Sequence, residues 1–330
     1  MGESEKDSLP LYYIILALFM AFFGVVGNGM VFFLICSRRR LQVVGNYFVA
    51  SLAAADLLVG LFLPSFFIVC NVWSACDIVT YNMFFNLFTL VSIASLFVMT
   101  VDRYISIIFP FRYPSHATTT RIFAAITASW VLPALFSFSP LFWMFSSSEY
   151  VKTTAKKVHA FIVITTFEVV PTVVMPTMYA HIFRTARRHA RQVEAHKTQL
   201  EYNSTHSEVP KRTVNLVNLE MLTTTGKKMS SASQAPASAG ERKPDGSSIA
   251  VLGSVIGLFV LCWSFDTVIS FCNKLELCVT NDHLFRIADL MIFLNSAINP
   301  LVYALLKKDI KKELRSLCIG IRNKDTKESA

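Results

Sequence analysis

Residues 87–108 read LFTLVSIASLFVMTVDRYISII, an apolar run without charge from Leu87 to Val101 that ends on Asp102-Arg103-Tyr104. A helix rising 1.5 Å per residue needs about 20 apolar residues to cross the hydrocarbon of a bilayer, and this run with its neighbours supplies them. The terminal Asp-Arg pair then falls at the membrane face. Working outward, the chain of 330 residues is 53% hydrophobic and only 16% charged, with 28 Phe, a composition ill-suited to a soluble surface. Seven spans are expected, at about 11–36, 46–71, 77–109, 119–145, 158–190, 247–273 and 283–306. The fold class is therefore an all-α membrane protein, a seven-transmembrane helix bundle. An odd number of spans places the two chain ends on opposite sides. Arg38, Arg39 and Arg40 follow the first span, Arg184, Arg187, Arg188 and Arg191 the fifth, and Lys307, Lys308, Lys311 and Lys312 the seventh. Basic residues collect on the cytoplasmic side, so the N-terminal segment 1–10 is expected outside, in a plasma-membrane protein.

The formal charge of +9 lies in these flanking segments. It reads as topology and attraction to anionic inner-leaflet lipid, not as nucleic-acid binding. The polar segment before the first span does not look like a cleaved signal peptide, and Lys6 does not fit an N-myristoylation motif. Residues 191–246, rich in Ser, Thr, Lys and Ala and carrying Pro210, Pro236 and Pro244, read as a flexible cytoplasmic loop. The sequon Asn203-Ser204-Thr205 falls inside it, on the wrong side for glycosylation. Residues 307–318 alternate apolar and Lys positions at helical spacing and read as an amphipathic helix on the inner leaflet, with Cys318 a candidate palmitoylation site and 319–330 a cytoplasmic tail.

A charge or amide at bilayer depth is expensive unless paired or facing a wet cavity, which makes such residues functional candidates. Asn28, Asp56, Ser92, Asn295, Ser296 and Asn299 can meet at mid-depth around Asp56 if the helices form a bundle. A carboxylate among hydroxyls and amides suits Na⁺ or a proton; interhelical hydrogen bonding alone is the competing reading. No other cofactor is expected. His159, His181 and His283 lack metal-ligand spacing and no span pairs a nucleophile with a nearby base, so an enzyme is not expected.

Taken one set per span, Asn28, Asp56, Asp102-Arg103-Tyr104, Trp130, Pro171, Cys262-Trp263, Asn299-Pro300 and Tyr303 resemble the rhodopsin-like G-protein-coupled receptors, over about residues 11–318. The resemblance implies an extracellular ligand and a heterotrimeric G protein as partners. It also implies an allosteric sodium site at Asp56, Ser92, Asn295 and Asn299, with Ser296 beside them. It assigns Pro171, Ile93 and Phe259 to a transmission core, Trp263 to a toggle, and Arg103, Tyr179 and Tyr303 to rearrangements that admit the G protein. Asp245 is an inactive-state partner candidate for Arg103. Independently of the resemblance, Pro171 and Pro300 each remove a backbone hydrogen bond where a bundle could pivot. A ligand preferring one of two states then shifts the population seen by a partner. Ser and Thr in 191–246, with Thr326 and Ser329, permit phosphorylation by receptor kinases and arrestin binding.

The pattern also fails in places. Phe265 stands where the family has a proline two residues after the toggle, so the sixth helix should be straighter. Cys76 finds no cysteine in residues 146–160, leaving Cys70, Cys76, Cys272 and Cys278 with their connectivity open; Cys36 and Cys262 read as packing residues. Phe85 occupies the place of the amine receptors' aspartate, and Phe293 that of the opsins' lysine. Local likeness to adenosine receptors, including Thr89, is undercut by Ser270 and Phe293 in place of the purine-reading residues. Glu168, Asp266 and Asp289 in the outer halves of spans five to seven suggest a pocket for a cationic amine or peptide end, walled by Phe85, Phe167 and Phe271; pairing of Asp289 with Arg286 or Lys274 is the alternative. A nucleoside receptor and a non-signalling decoy stay open within the fold. A small transporter or proton channel is the alternative from another class, although no inverted repeat is evident.

Overall fold

The computed structural model describes residues 10–72, 77–206, 246–274 and 281–316. Seven of its helices are long and apolar enough to cross a membrane. We label them α1 (Leu11–Ser37), α2 (Val44–Val72), α3 (Ile78–Ile108), α4 (Thr119–Phe138), α5 (149–206), α6 (Gly246–Lys274) and α7 (Asp282–Leu306), followed by a short α8 at 308–316. Their ends are set by local chemistry. The Asp77 carboxylate accepts from the Val79 and Thr80 backbone N–H groups to start α3, and the Asn281 side chain accepts from His283 N–H to start α7.

Residues 10–182 and the described part of 246–316 form one compact unit, in which α1 packs on α2 and α7, α2 on α3, α3 on α4, and α6 on α7. Small residues let two helices close up: a Cβ added at Gly27 of α1 would stand 2.8 Å from Pro300 Cβ of α7. Polar side chains complete the joins. Trp130 Nε1 of α4 donates to Ser51 Oγ of α2 at 3.0 Å, and Ser51 Oγ meets Ser95 Oγ of α3 at 3.4 Å. Exposed apolar side chains such as Phe19, Phe22 and Phe33 line the outer surface of α1, where hydrocarbon is the natural solvent.

α5 has three parts. It is α-helical over Glu149–Val163, π-helical over Ile164–Val169, and α-helical again over Val170–His206. Pro171 has no N–H to return to the turn before it, and the Val170 N–H bonds instead to Thr165 O, five residues back. The wider turn buries Phe167 and Glu168 in succession. A regular turn would set consecutive side chains some 100° apart.

Three expectations need correction. Residues 149–157 are helical and not loop, because the Ser148 hydroxyl caps them by accepting from Val151 N–H at 3.4 Å. Residues 191–206, expected to be flexible loop, continue α5. Arg, Gln, Glu, Ala, Lys and Leu there are strong helix formers, and the first proline comes only at Pro210. Gly246 likewise already belongs to α6. The compact unit that begins at Phe183 has its own local contacts, including the Arg187 guanidinium 4.7 Å from the Phe183 ring centroid. α6 runs unbroken through Phe265. Of the cysteines, Cys36 and Cys262 are free, and Cys272 is disulfide-bonded to a partner outside the described side chains. The expectations for Cys70, Cys76, Cys278, Cys318 and the 319–330 tail also lie outside them.

Replacing Ser51 with Ala changes the side-chain volume little but removes the acceptor of the Trp130 N–H. The expected cost is about 1 kcal/mol, read as a lower thermal midpoint in detergent. An unchanged midpoint would show that the α2–α3–α4 join does not depend on this bond.

Candidate functional site

The centre of the molecule is the buried Asp56 carboxylate of α2. Its Oδ1 accepts from Ser92 Oγ of α3 at 2.7 Å and from Ser296 Oγ of α7 at 2.9 Å; its Oδ2 accepts from Asn299 Nδ2 at 2.7 Å. Asn28 of α1 joins through Nδ2, which donates to Gly24 O at 2.9 Å and to Ser296 O at 3.0 Å. Four helices thus meet in one hydrogen-bonded cluster around Asp56. The buried oxygens Asn295 Oδ1 and Asn299 Oδ1 accept no hydrogen bond within the described residues. A carboxylate with hydroxyl and amide oxygens around it is a hard-oxygen donor set, and it fits a small cation such as Na⁺.

Beside this cluster in sequence, Ile93 follows Ser92, and Pro171, Ile93, Phe259 and Trp263 are all buried, with the Phe259 and Trp263 rings 6.0 Å apart. The π turn of α5 packs against both α3 and α6, which brings their elements together. Phe85 and Phe293 belong to one apolar cluster with Tyr13, Phe88 and Leu290. The Thr89 hydroxyl is used within its own helix, donating to Phe85 O at 2.6 Å. Phe167 packs edge-on to Phe136 at 5.4 Å, and Glu168 is buried beside it. Asp266 and Asp289 are close enough for their charges to interact across α6 and α7. No described side chain forms an ion pair with Asp289. Pairing with Arg286 is therefore not seen, and the Lys274 side chain lies outside the described atoms. Ser270 is half-buried on the same helix. Phe271 corrects the expected aromatic wall. It continues the outward stripe of Leu261 and Val268, at helical spacing, and is exposed.

At the opposite end, Asp102 is buried at the foot of α3 and accepts from Tyr113 Oη at 2.9 Å. Arg103 Nε lies 3.8 Å from Asp102 Oδ2, and Tyr104 Oη meets His181 Nδ1 at 2.9 Å. Burial and then the Asp102 charge push the Tyr113 hydroxyl up to about 12. Tyr303 is buried near Asp56, Tyr179 lies over α6, and Asp245 falls outside the described residues.

Sequence reasoning missed Lys307. Its ammonium donates to Asn46 Oδ1 at the start of α2, and Asn46 Nδ2 in turn donates to Leu41 O at 2.8 Å. Burial and then the Arg103 charge push Lys307 down to about 8, while Asp309 opposes them. Nothing in the sequence distinguishes this Lys from the other basic residues after α7. Beyond it, Arg38 Nε reaches Glu313 Oε2 of α8 at 3.8 Å.

With this geometry in view, the chain matches the seven-transmembrane receptor (rhodopsin family) over residues 27–303, and it belongs to that family. It is 28% identical to the octopamine receptor beta-1R of Drosophila melanogaster over 91% of this chain and 60% of the relative. It is 28% identical to the alpha-1A adrenergic receptor of Oryzias latipes over 89% of this chain and 64% of the relative. To the octopamine receptor beta-2R of Chilo suppressalis it is 24% identical, over 91% and 77%. The chain thus spans less than two thirds of the first two relatives. All three are receptors, not enzymes.

A lysine pushed below its ordinary value of 10.5 binds its proton more weakly folded than unfolded. Between about pH 8 and 10 the unfolded state therefore carries more protons, and stability contributed at this position rises with pH. The thermal midpoint of the wild type should climb relative to Lys307→Gln over that range. Parallel curves would contradict the burial of Lys307.

Proposed function

We propose that the chain is a plasma-membrane receptor, N-terminus outside, that binds an extracellular cationic ligand and signals to a heterotrimeric G protein. The observation that supports it best is the position of the Asp56 cluster. It ties α1, α2, α3 and α7 together, between the outer Asp266–Asp289 pair and the Arg103 end. A ligand that pulls α6 and α7 together can then bias the inner face only by preferring one packing of the bundle over another. Na⁺ held by Asp56, Ser92, Asn295 and Asn299 would favour the packing in which those groups converge.

The cationic preference rests on two neighbouring carboxyl groups. Asp266 and Asp289 are both half-buried on α6 and α7, and a ligand cation between them would favour their ionised forms. The relatives named above are receptors for octopamine and adrenergic amines by name, which agrees in ligand charge. Phe85, half-buried in the apolar cluster, cannot supply an α3 carboxylate. The amine would be held from α6 and α7 instead.

The test is cAMP and Ca²⁺ in cells expressing the chain, challenged with amines, nucleosides and short peptides beside an Arg103→Ala control. The expected result is a response to a cationic agonist that is absent in the control. Asp289→Asn and Asp266→Asn should each weaken its potency about tenfold or more, the loss of a charge-assisted contact. Unchanged potency in both would remove the cationic pocket. A response that survives Arg103→Ala would argue against coupling through that end.

A further inference from the structure

Two glycines at the Arg103 end leave room for particular side-chain tips. A Cβ built on Gly45, the second residue of α2, would lie 1.7 Å from Arg103 Nη2, 2.6 Å from Cζ and 2.9 Å from Nη1. A Cβ built on Gly253 of α6 would lie 2.1 Å from Tyr179 Oη, 2.3 Å from Cζ and 2.9 Å from Cε2. Gly257, one turn further along the same helix, has nothing within 4 Å of the corresponding point. The space left by a missing methyl is thus filled at two positions and open at the third. Glycine inside a helix is less favourable than alanine, so Gly253 weakens α6 unless the space it leaves is used.

We infer that Gly45 and Gly253 are seats for the Arg103 guanidinium and the Tyr179 hydroxyl end, and that filling either seat expels its occupant and shifts the inner face away from the arrangement described here. The signalling consequence rests on the receptor reading proposed above; the seats themselves do not.

The Arg103 seat is held by fit and opposed by charge. Gly45 is in the first turn of α2, at the positive end of the helix dipole, where a cation is disfavoured. The Lys307 ammonium and the Arg103 guanidinium repel one another. Asp102 contributes only a 3.8 Å ion pair, with its nearer hydrogen bond coming from Tyr113. Among the described residues, a guanidinium placed this way has no short ion pair to break. Both obstructing groups are ends of side chains with freedom to swing, so a methyl at either glycine displaces a tip and leaves the backbone in place.

Thermal unfolding of the full chain in detergent, arranged as two double-mutant cycles, decides it without any ligand or G protein. Gly45→Ala should lower the midpoint by about 2 °C or more where Arg103 is present, and leave it level or raised in an Arg103→Ala background. Gly253→Ala should do the same against Tyr179→Ala. Gly257→Ala, with open space, should be level or slightly raised in every background. Failure of Gly45→Ala to express, rescued by Arg103→Ala, counts as the same coupling. Equal shifts in both backgrounds, or failure in both, would overturn the seats. In cells, Gly45→Ala and Gly253→Ala should raise agonist-independent signalling over Gly257→Ala at equal surface expression. Coupled midpoints with unaltered signalling, in a chain whose wild type answers an agonist, would overturn the switching role. Silence of every form under all stimuli would instead count against the receptor reading, and the thermal cycles would still decide the seats.

Discussion

A carboxylate buried in the middle of a helix bundle is the constraint around which this molecule is built. Asp56 accepts three short hydrogen bonds from α3 and α7, and its neighbour Ser296 offers its backbone carbonyl to Asn28 of α1. Without those donors the charge would be untenable in an apolar interior. With them, α1, α2, α3 and α7 cannot move independently. The apolar contacts of the bundle set how closely the helices pack, but the polar cluster sets their register. Asn295 Oδ1 and Asn299 Oδ1 are buried and accept no hydrogen bond among the described residues.

Away from that hub the helices are looser by construction. The π turn at Ile164–Val169 follows from the imino nitrogen of Pro171, and Pro300, inside a continuous α7, withholds one backbone donor next to Asn299. α6 has no such interruption, because Phe265 stands where a proline would break the ladder. Its backbone ladder therefore offers no pivot of that kind, and its contacts matter the more. The fit of Tyr179 over Gly253 is a contact of that kind, and the fit of Arg103 over Gly45 is its counterpart on α2. Both are steric seats at the Arg103 end of the bundle.

What was legible in the sequence follows the physics of each feature. Seven apolar spans can be read because length and hydropathy alone decide them. The Asp56 cluster can be read because polar residues in such spans are few and must meet. Residues 191–206 misled because their polarity says exposed, which they are, without saying unfolded; helix propensity was the better guide there. Phe271 misled because composition cannot tell which side of α6 an aromatic ring faces until the buried stripe of that helix is known. Lys307 and Gly45 carried no signal at all. A lysine after the last span looks like a topology marker, and a glycine reveals its use only when the side chain lying over it is located. The Cys272 disulfide was within reach as one of several pairings, and its partner lies beyond the described side chains.

The most direct test of the central claim is the thermal midpoint of the purified chain titrated with Na⁺ at constant ionic strength, N-methylglucamine replacing it, beside Asp56→Asn. If the cluster around Asp56 holds the helices and accepts a cation, Na⁺ at about ten times its dissociation constant stabilises the wild type by roughly 1.4 kcal/mol, and the variant shows no such dependence. A wild type indifferent to Na⁺, or a variant that responds as strongly, would contradict it.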